Sequence, residues 1–175
     1  MSGHPVVARP RRFVVGTGSH GDIGAQHRSD TVAGMEDRVD VVRRYLASFS
    51  TGDAEVIAAL VTDDFRNEHL SELGSGCVGR DEYRSRLAGF LGAFVDARYT
   101  IVAVGALGLA GGEPSTDDAF ADGEVVARYR FEAECEGIQI DIPGMMWFEV
   151  RSGQIARRTD LWDSLTFLRQ TGQAG

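Results

Sequence analysis

Asp160, Trp162 and Asp163 stand close together in the run IARRTDLWDSLTFLRQTG, residues 155–172. Side chains alternate between the two faces of a strand, so Arg158, Asp160 and Trp162 are expected on one face and Arg157, Thr159 and Leu161 on the other. A carboxylate beside an indole is unusual core material. Apolar neighbours raise a carboxyl pKa from its ordinary ~3.9 toward working pH, and Trp162, Trp147, Met145 and Met146 are the expected neighbours. The plainer alternative makes Asp160 an edge-strand charge or the start of the last helix. A second run, Phe65-Arg66-Asn67-Glu68-His69, puts Phe65, Asn67 and His69 on one face and Arg66 and Glu68 on the other. His69 is the only histidine beyond the N-terminal segment, and such a residue serves either as a structural hydrogen-bonding group or as a proton donor. A desolvated carboxylate can serve as a general base, and amide, imidazole and guanidinium groups near it can donate hydrogen bonds to a developing oxyanion. Asp160 is the candidate base, with Asn67, His69 or Arg128 as candidate donors. A close Arg128 or Arg130 would instead depress the Asp160 pKa and make a structural ion pair.

The elements that must position these groups read clearly. From Glu36 onward Val39, Val42, Tyr45, Leu46 and Phe49 recur at helical steps. Thr51-Gly52-Asp53 breaks that helix, and a second runs from Ala54 to Val61 with Val56, Ile57, Leu60 and Val61 inward, ended by Thr62-Asp63-Asp64. The glycines of LGSGCVG, residues 73–79, form turns, and Asp81 opens a third helix with Tyr83, Leu87, Phe90, Leu91 and Phe94 on its apolar stripe. Strands follow over 97–107, 123–136, 138–150 and 154–161. An acidic, glycine-containing insertion, GLAGGEPSTDDAFADG, joins the first two as a mobile hairpin loop, and Arg151-Ser152-Gly153 makes a tight connection. Asp141, next to Ile142-Pro143-Gly144, is expected to cap a turn or bulge; Met145-Met146-Trp147-Phe148 is core first and ligand lining second. Helices followed by an antiparallel sheet define an α+β fold. A strongly curved sheet would wrap the N-terminal helices and leave a pocket at one end.

Composition excludes several functions. With 43% hydrophobic and 25% charged residues in 175, the chain is ordinary for one globular domain. A net charge of -8 argues against nucleic acid as a partner. All 18 basic residues are arginine, which rules out a Schiff-base lysine and a Walker A loop. Cys77 and Cys135 have no nearby Cys or His in sequence, so no zinc or CxxC motif is present, and no cofactor or metal is implied. No run approaches the ~20 apolar residues of a membrane span, and there is no signal-peptide h-region. A cytoplasmic protein without membrane partners is expected. Residues 1–34 carry four arginines against two aspartates and form a flexible N-terminal extension, with the domain spanning 35–175. GTGSHG, residues 16–21, spells GxGxxG, but no apolar helix and no second strand follow it, so it is no dinucleotide fingerprint.

STGDAEVIAALVTDDFRNEH near the front and GMMWFEVRSGQIARRTDLWDSLTFLRQTG at the back resemble the nuclear-transport-factor-2-like superfamily over about residues 36–172. The nearest likeness is to SnoaL-like polyketide cyclases, with limonene-epoxide hydrolases and ketosteroid isomerases as cousins. The resemblance implies a cone-shaped α+β barrel. It puts Asp160 at the position of the cyclase acid/base and of the hydrolase acid that holds water, and Asn67 at a water-holding asparagine. Phe65 stands where the hydrolases have tyrosine. Arg128-Tyr129-Arg130 stands where they have Arg-x-Asp, so the second acid is arginine and nothing obvious protonates an epoxide. Met146 replaces a cyclase histidine, a role His69 would take from another strand. The implied ligand is a small hydrophobic carbonyl compound of polyketide or steroid type, contacted by Arg128, Arg130, Trp147, Met146, Trp162, Phe65 and Tyr45. The shared placement of Asn67 and Asp160 favours an enzyme, with a non-catalytic binding or dimerisation module of the same fold as the alternative and epoxide-hydrolase-like activity as a further one; exposed apolar residues on the outer sheet face favour a homodimer.

Overall fold

The computed structural model describes residues 37–107 and 123–174. The N-terminal extension with its GxGxxG run, and nearly all of the insertion expected as a hairpin loop, lie outside the described residues.

Helix α1, residues 37–48, presents Val41, Val42, Tyr45 and Leu46 to the core, as the three- and four-residue spacing requires. A 3-10 turn, Phe49–Thr51, ends at Gly52, whose φ of 65° suits a residue without Cβ. Asp53 caps α2 (Ala54–Ala58) by accepting from Glu55 N at 2.8 Å. This helix is shorter than its sequence pattern suggests. Leu60 and Val61 leave it because Ile155 N donates to Leu60 O at 3.0 Å and Val61 pairs with Ile155, so sheet pairing overrides helical spacing. Val56 turns to solvent, while Ile57 and Ala58 are buried.

Strand β1 (Val61–His69), the short β2 (Cys77–Val78), helix α3 (Arg80–Ala93), β3 (Val95–Leu107), β4 (Gly123–Cys135), β5 (Ile138–Arg151), β6 (Gln154–Trp162) and helix α4 (Ser164–Gln170) complete the described elements. One six-stranded sheet has the order β2-β1-β6-β5-β4-β3. Its pairings are antiparallel except β1 against β6, which run parallel. The sheet is curved and unclosed, with β2 and β3 as its edges, and it wraps the helices in the cone expected from sequence.

Two tight hairpins fix the register of β4, β5 and β6. Glu136-Gly137 and Ser152-Gly153 both have positive φ, the signature of the two-residue turn that matches strand twist. On β4 the residues Val125, Ala127, Tyr129, Phe131 and Ala133 point inward; on β5 the inward set is Ile140, Ile142, Met146, Phe148 and Val150. These meet α1 and α3 in a single core.

Candidate active site

Parallel pairing of β1 with β6 sets Asn67 beside Arg158 and His69 beside Asp160. All four side chains point to the concave face, as alternation along both strands predicts. The end of β6 is held by Ser71, whose hydroxyl donates to Trp162 O at 2.5 Å and accepts from Trp162 N at 3.1 Å. Leu70 N donates to Asp160 O at 2.8 Å. The backbone carrying the acid is therefore fixed on both sides.

Arg158, Asn67 and His69 form a hydrogen-bonded row, and Asp160 lies at its end. Arg158 Nε donates to Asn67 Oδ1 at 2.9 Å, which turns the Asn67 amide nitrogen toward His69 Nε2, 3.3 Å away. Because that nitrogen can only donate, Nε2 must accept, and the imidazole proton resides on Nδ1. Burial, aided by the Arg158 charge, lowers the His69 pKa to about 4, so the ring is neutral at pH 7. Its Nδ1 is buried without a hydrogen-bond partner and lies 3.9 Å from Asp160 Oδ2, too far for a hydrogen bond.

Asp160 is 3% exposed. Burial raises its pKa; the Arg158 charge and a 2.7 Å hydrogen bond from Tyr129 Oη to Oδ1 temper the rise. Oδ1 is thereby engaged and Oδ2 faces His69. Arg158 Nη1 donates to Tyr45 Oη at 3.0 Å, and Tyr45 Oη lies 2.5 Å from Tyr83 Oη. The Arg158 guanidinium also sits 5.9 Å from the Tyr83 ring centroid. Burial first of all raises the pKa of Tyr45, Tyr83, Tyr99 and Tyr129, so these phenols stay protonated.

These groups close the polar end of a cavity of about 540 Å³. Its other walls are Phe90 of α3 and Phe94 just after it, Phe131 of β4, Ile140 and Ile142 of β5, Trp162, and Phe167 of α4. The rings interlock edge to face: Phe94 with Phe131 at 5.5 Å, Phe94 with Phe167 at 6.3 Å, and Trp162 with Phe167 at 5.8 Å. Polar groups converging at one end of an apolar cavity are the usual form of a small-molecule site. Among the described residues there is no group of three or more His, Cys, Asp or Glu side chains placed to hold a metal ion.

The structure brings Asp160, Asn67, His69 and Trp162 together at this cavity. It places the other expected contact residues elsewhere. Arg128 and Arg130 flank the inward Tyr129 and so point out; Arg130 binds Asp141 at 2.7 and 2.5 Å. Neither arginine pairs with Asp160. The arginine near it is Arg158, two residues away on the same strand face. Trp147 and Met145 are 46% and 48% exposed on the outer face and do not desolvate the acid. Met146, opposite Asp160 in the β5–β6 pairing, Phe65, 4.8 Å from the Tyr83 ring, and Tyr45 are buried in the core behind the cavity wall. Asp141 lies within β5 and caps no turn.

Sequence reasoning passed over Tyr129 and the hydrogen bonds of Arg158, and two glycines that shape the site. A Cβ on Gly144 would come within 2.3 Å of Tyr129 Oη, and one on Gly74 within 2.3 Å of His69 Cβ. The apolar alternation around Tyr129 was the available signal; for Gly74 and Gly144 the sequence held none beyond the glycines themselves.

The open curved sheet around helices, with an acid at the cavity end of β6, defines a protein of the nuclear-transport-factor-2-like superfamily. Residues 42–158 match the SnoaL-like domain, and the chain belongs to that family. No curated protein matches it. Solved structures share the fold at low identity. An epoxide hydrolase of Mycobacterium tuberculosis, of limonene-epoxide-hydrolase type, is 18% identical over 79% of this chain and 94% of its own, with TM-score 0.62. A candidate polyketide cyclase from Xanthomonas campestris is 20% identical over 78% and 98%, TM-score 0.59. A protein with a ketosteroid isomerase-like fold from Catenulispora acidiphila, solved in complex with trimethylamine, is 15% identical over 77% and 93%, TM-score 0.61.

Proposed function

We propose that this protein catalyses cofactor-free proton transfer at carbon, of cyclase or isomerase type, on a hydrophobic carbonyl compound of polyketide- or steroid-like size. One observation carries the reading: a buried carboxylate of raised pKa, Asp160, faces an unpartnered imidazole N–H, His69 Nδ1, at the end of an aromatic-walled cavity. A small rotation of the His69 ring would bring the buried Nδ1–H to a carbonyl oxygen whose neighbouring C–H then points toward Oδ2. Asp160 then takes the proton, and the C–H electron pair passes to the carbonyl oxygen as an enolate held by the imidazole. A neutral imidazole is a suitable donor here because its acidity lies close to that of an enol. The proton returns to another carbon in an isomerisation; in a cyclisation the enolate carbon attacks a second carbonyl carbon, the C=O π pair passes to that oxygen, and the resulting alkoxide takes the proton from Asp160. A raised carboxyl pKa brings the base closer to a carbon acid and improves the driving force of transfer.

The test needs no natural substrate. Exchange of the α-hydrogens of 2-tetralone and of larger ring ketones in D2O, followed by NMR, should be accelerated by the wild-type protein. Asp160→Asn should abolish the acceleration and leave ketone affinity within about tenfold, roughly 1.4 kcal/mol. Unchanged exchange in Asp160→Asn removes Asp160 as the base. Ketone binding without exchange by the wild-type protein leaves the cavity as a ligand-binding site of the same fold.

A further inference from the structure

No described group pairs directly with the charge of Arg158. This arginine is 5% exposed and lines the cavity, yet among the described residues it makes no ion pair. Among the described residues its hydrogen bonds are Nε to Asn67 and Nη1 to Tyr45, and Nη2 has no partner there. A buried guanidinium without a counter-ion is costly, because the lost hydration is not replaced. Asp160, the nearest acid, feels the charge but binds Tyr129 instead of the guanidinium. The second arginine of the cavity, Arg86, is occupied with Glu82 at 2.6 Å and Gly76 O at 2.8 Å. Tyr99 also lines the cavity, and its hydroxyl has no partner among the described residues. The whole chain carries a net charge of -8, so a cation kept unpaired inside it stands out.

We propose that the cavity binds an apolar ring system bearing a carboxylate, received by Arg158 Nη2 with the Tyr99 hydroxyl as second donor. A guanidinium edge matches a carboxylate in shape as well as charge, and desolvation strengthens the pairing. The aromatic walls then hold the rings. This rests on the reading of the cavity as a small-molecule site and adds an acidic group to the ligand class; the ring ketone alone would leave Nη2 unused.

The experiment compares two probes of equal shape, 2-naphthoate and the neutral 2-naphthamide, by calorimetric titration of the full-length protein at pH 7 and low salt. Naphthoate should bind at least tenfold more tightly and should compete with 2-tetralone. Equal affinities, or tighter binding of the amide, overturn the proposal. Arg158→Gln should erase the preference; a preference that survives in folded Arg158→Gln also overturns it. Should that variant fail to fold, the wild-type ratio decides alone. Asp160→Asn separates the two readings, since it should retain or tighten naphthoate binding. Ketone exchange without a naphthoate preference removes only the anion site; a naphthoate preference without exchange removes only the catalytic role.

Discussion

Tyr129 is the side chain on which the reactivity of Asp160 turns. Its hydroxyl donates to Oδ1 and favours the ionised carboxylate, against the larger opposing effect of burial. Removing a hydrogen bond to a charged group costs roughly 1.5–3 kcal/mol, which at 1.36 kcal/mol per pKa unit is a shift of about one to two units. Tyr129→Phe is therefore expected to raise the Asp160 pKa further. Proton abstraction requires the ionised form, so the rate rises with pH through that pKa. The rising limb of the exchange rate of 2-tetralone should move to higher pH by about one to two units in the variant, with the high-pH plateau retained. A limb that stays in place would show that Tyr129 does not control the acid. Arg158 acts on the same carboxylate through space, and on His69 through the Asn67 amide.

At the scale of the element, β5 lies against β4 so that Gly144 faces Tyr129. Gly144→Ala should force the phenol aside, since the new Cβ would meet Oη at 2.3 Å; overpacking of this kind costs typically 1–3 kcal/mol. Its exchange profile should shift as that of Tyr129→Phe does, and the double variant should shift no further than either single one. Additive shifts would mean that the glycine acts by another route. Four of the strands were legible: expected spans of 97–107, 123–136, 138–150 and 154–161 became Val95–Leu107, Gly123–Cys135, Ile138–Arg151 and Gln154–Trp162, whereas β2 (Cys77–Val78) falls in a run expected to form turns. Periodicity and turn residues suffice for that. Facing was legible only where alternation had contrast. Val125, Ala127, Phe131 and Ala133 mark the inward side of β4, and Tyr129 falls in step with them, which sends Arg128 and Arg130 outward. Met145-Met146-Trp147-Phe148 offers four apolar residues in a row, and pairing of Met146 with Asp160 settles which two face in. The end of α2 was not legible, because the parallel partner that claims Val61 lies far along the chain. For the same reason the row from Arg158 to Asp160 could not be assembled from spacing: Asn67 and His69 reach it through pairing of β1 with β6.

Over the whole molecule, the site weighs on stability in two opposed ways. His69 has a folded-state pKa of about 4 against an ordinary 6.5, so the unfolded chain binds the extra proton between these values. Stability from the buried neutral ring is complete above about pH 6.5 and is lost as pH falls toward 4; a shift of about 2.5 units corresponds to roughly 3 kcal/mol. Asp160 has the opposite sign. Its folded pKa is raised, so the folded state holds the proton more tightly and stability declines as pH rises from the ordinary carboxylate value through the raised one. The surface acids Asp64, Glu68, Glu132 and Asp163 have lowered pKa values, each first by a side-chain hydrogen bond, and lose stabilisation only at still lower pH. Urea unfolding of the wild-type protein and of His69→Gln, measured from pH 7.5 to 4.5, isolates the histidine because the other groups are common to both. The wild-type protein should lose stability relative to the variant by about 2–3 kcal/mol across that range, most of it below pH 6.5. Parallel curves would mean that His69 titrates alike in the folded and unfolded chains. The ring would then be charged in mildly acid solution, and its Nδ1 would pair with Asp160 as an ordinary ion pair instead of remaining a neutral donor.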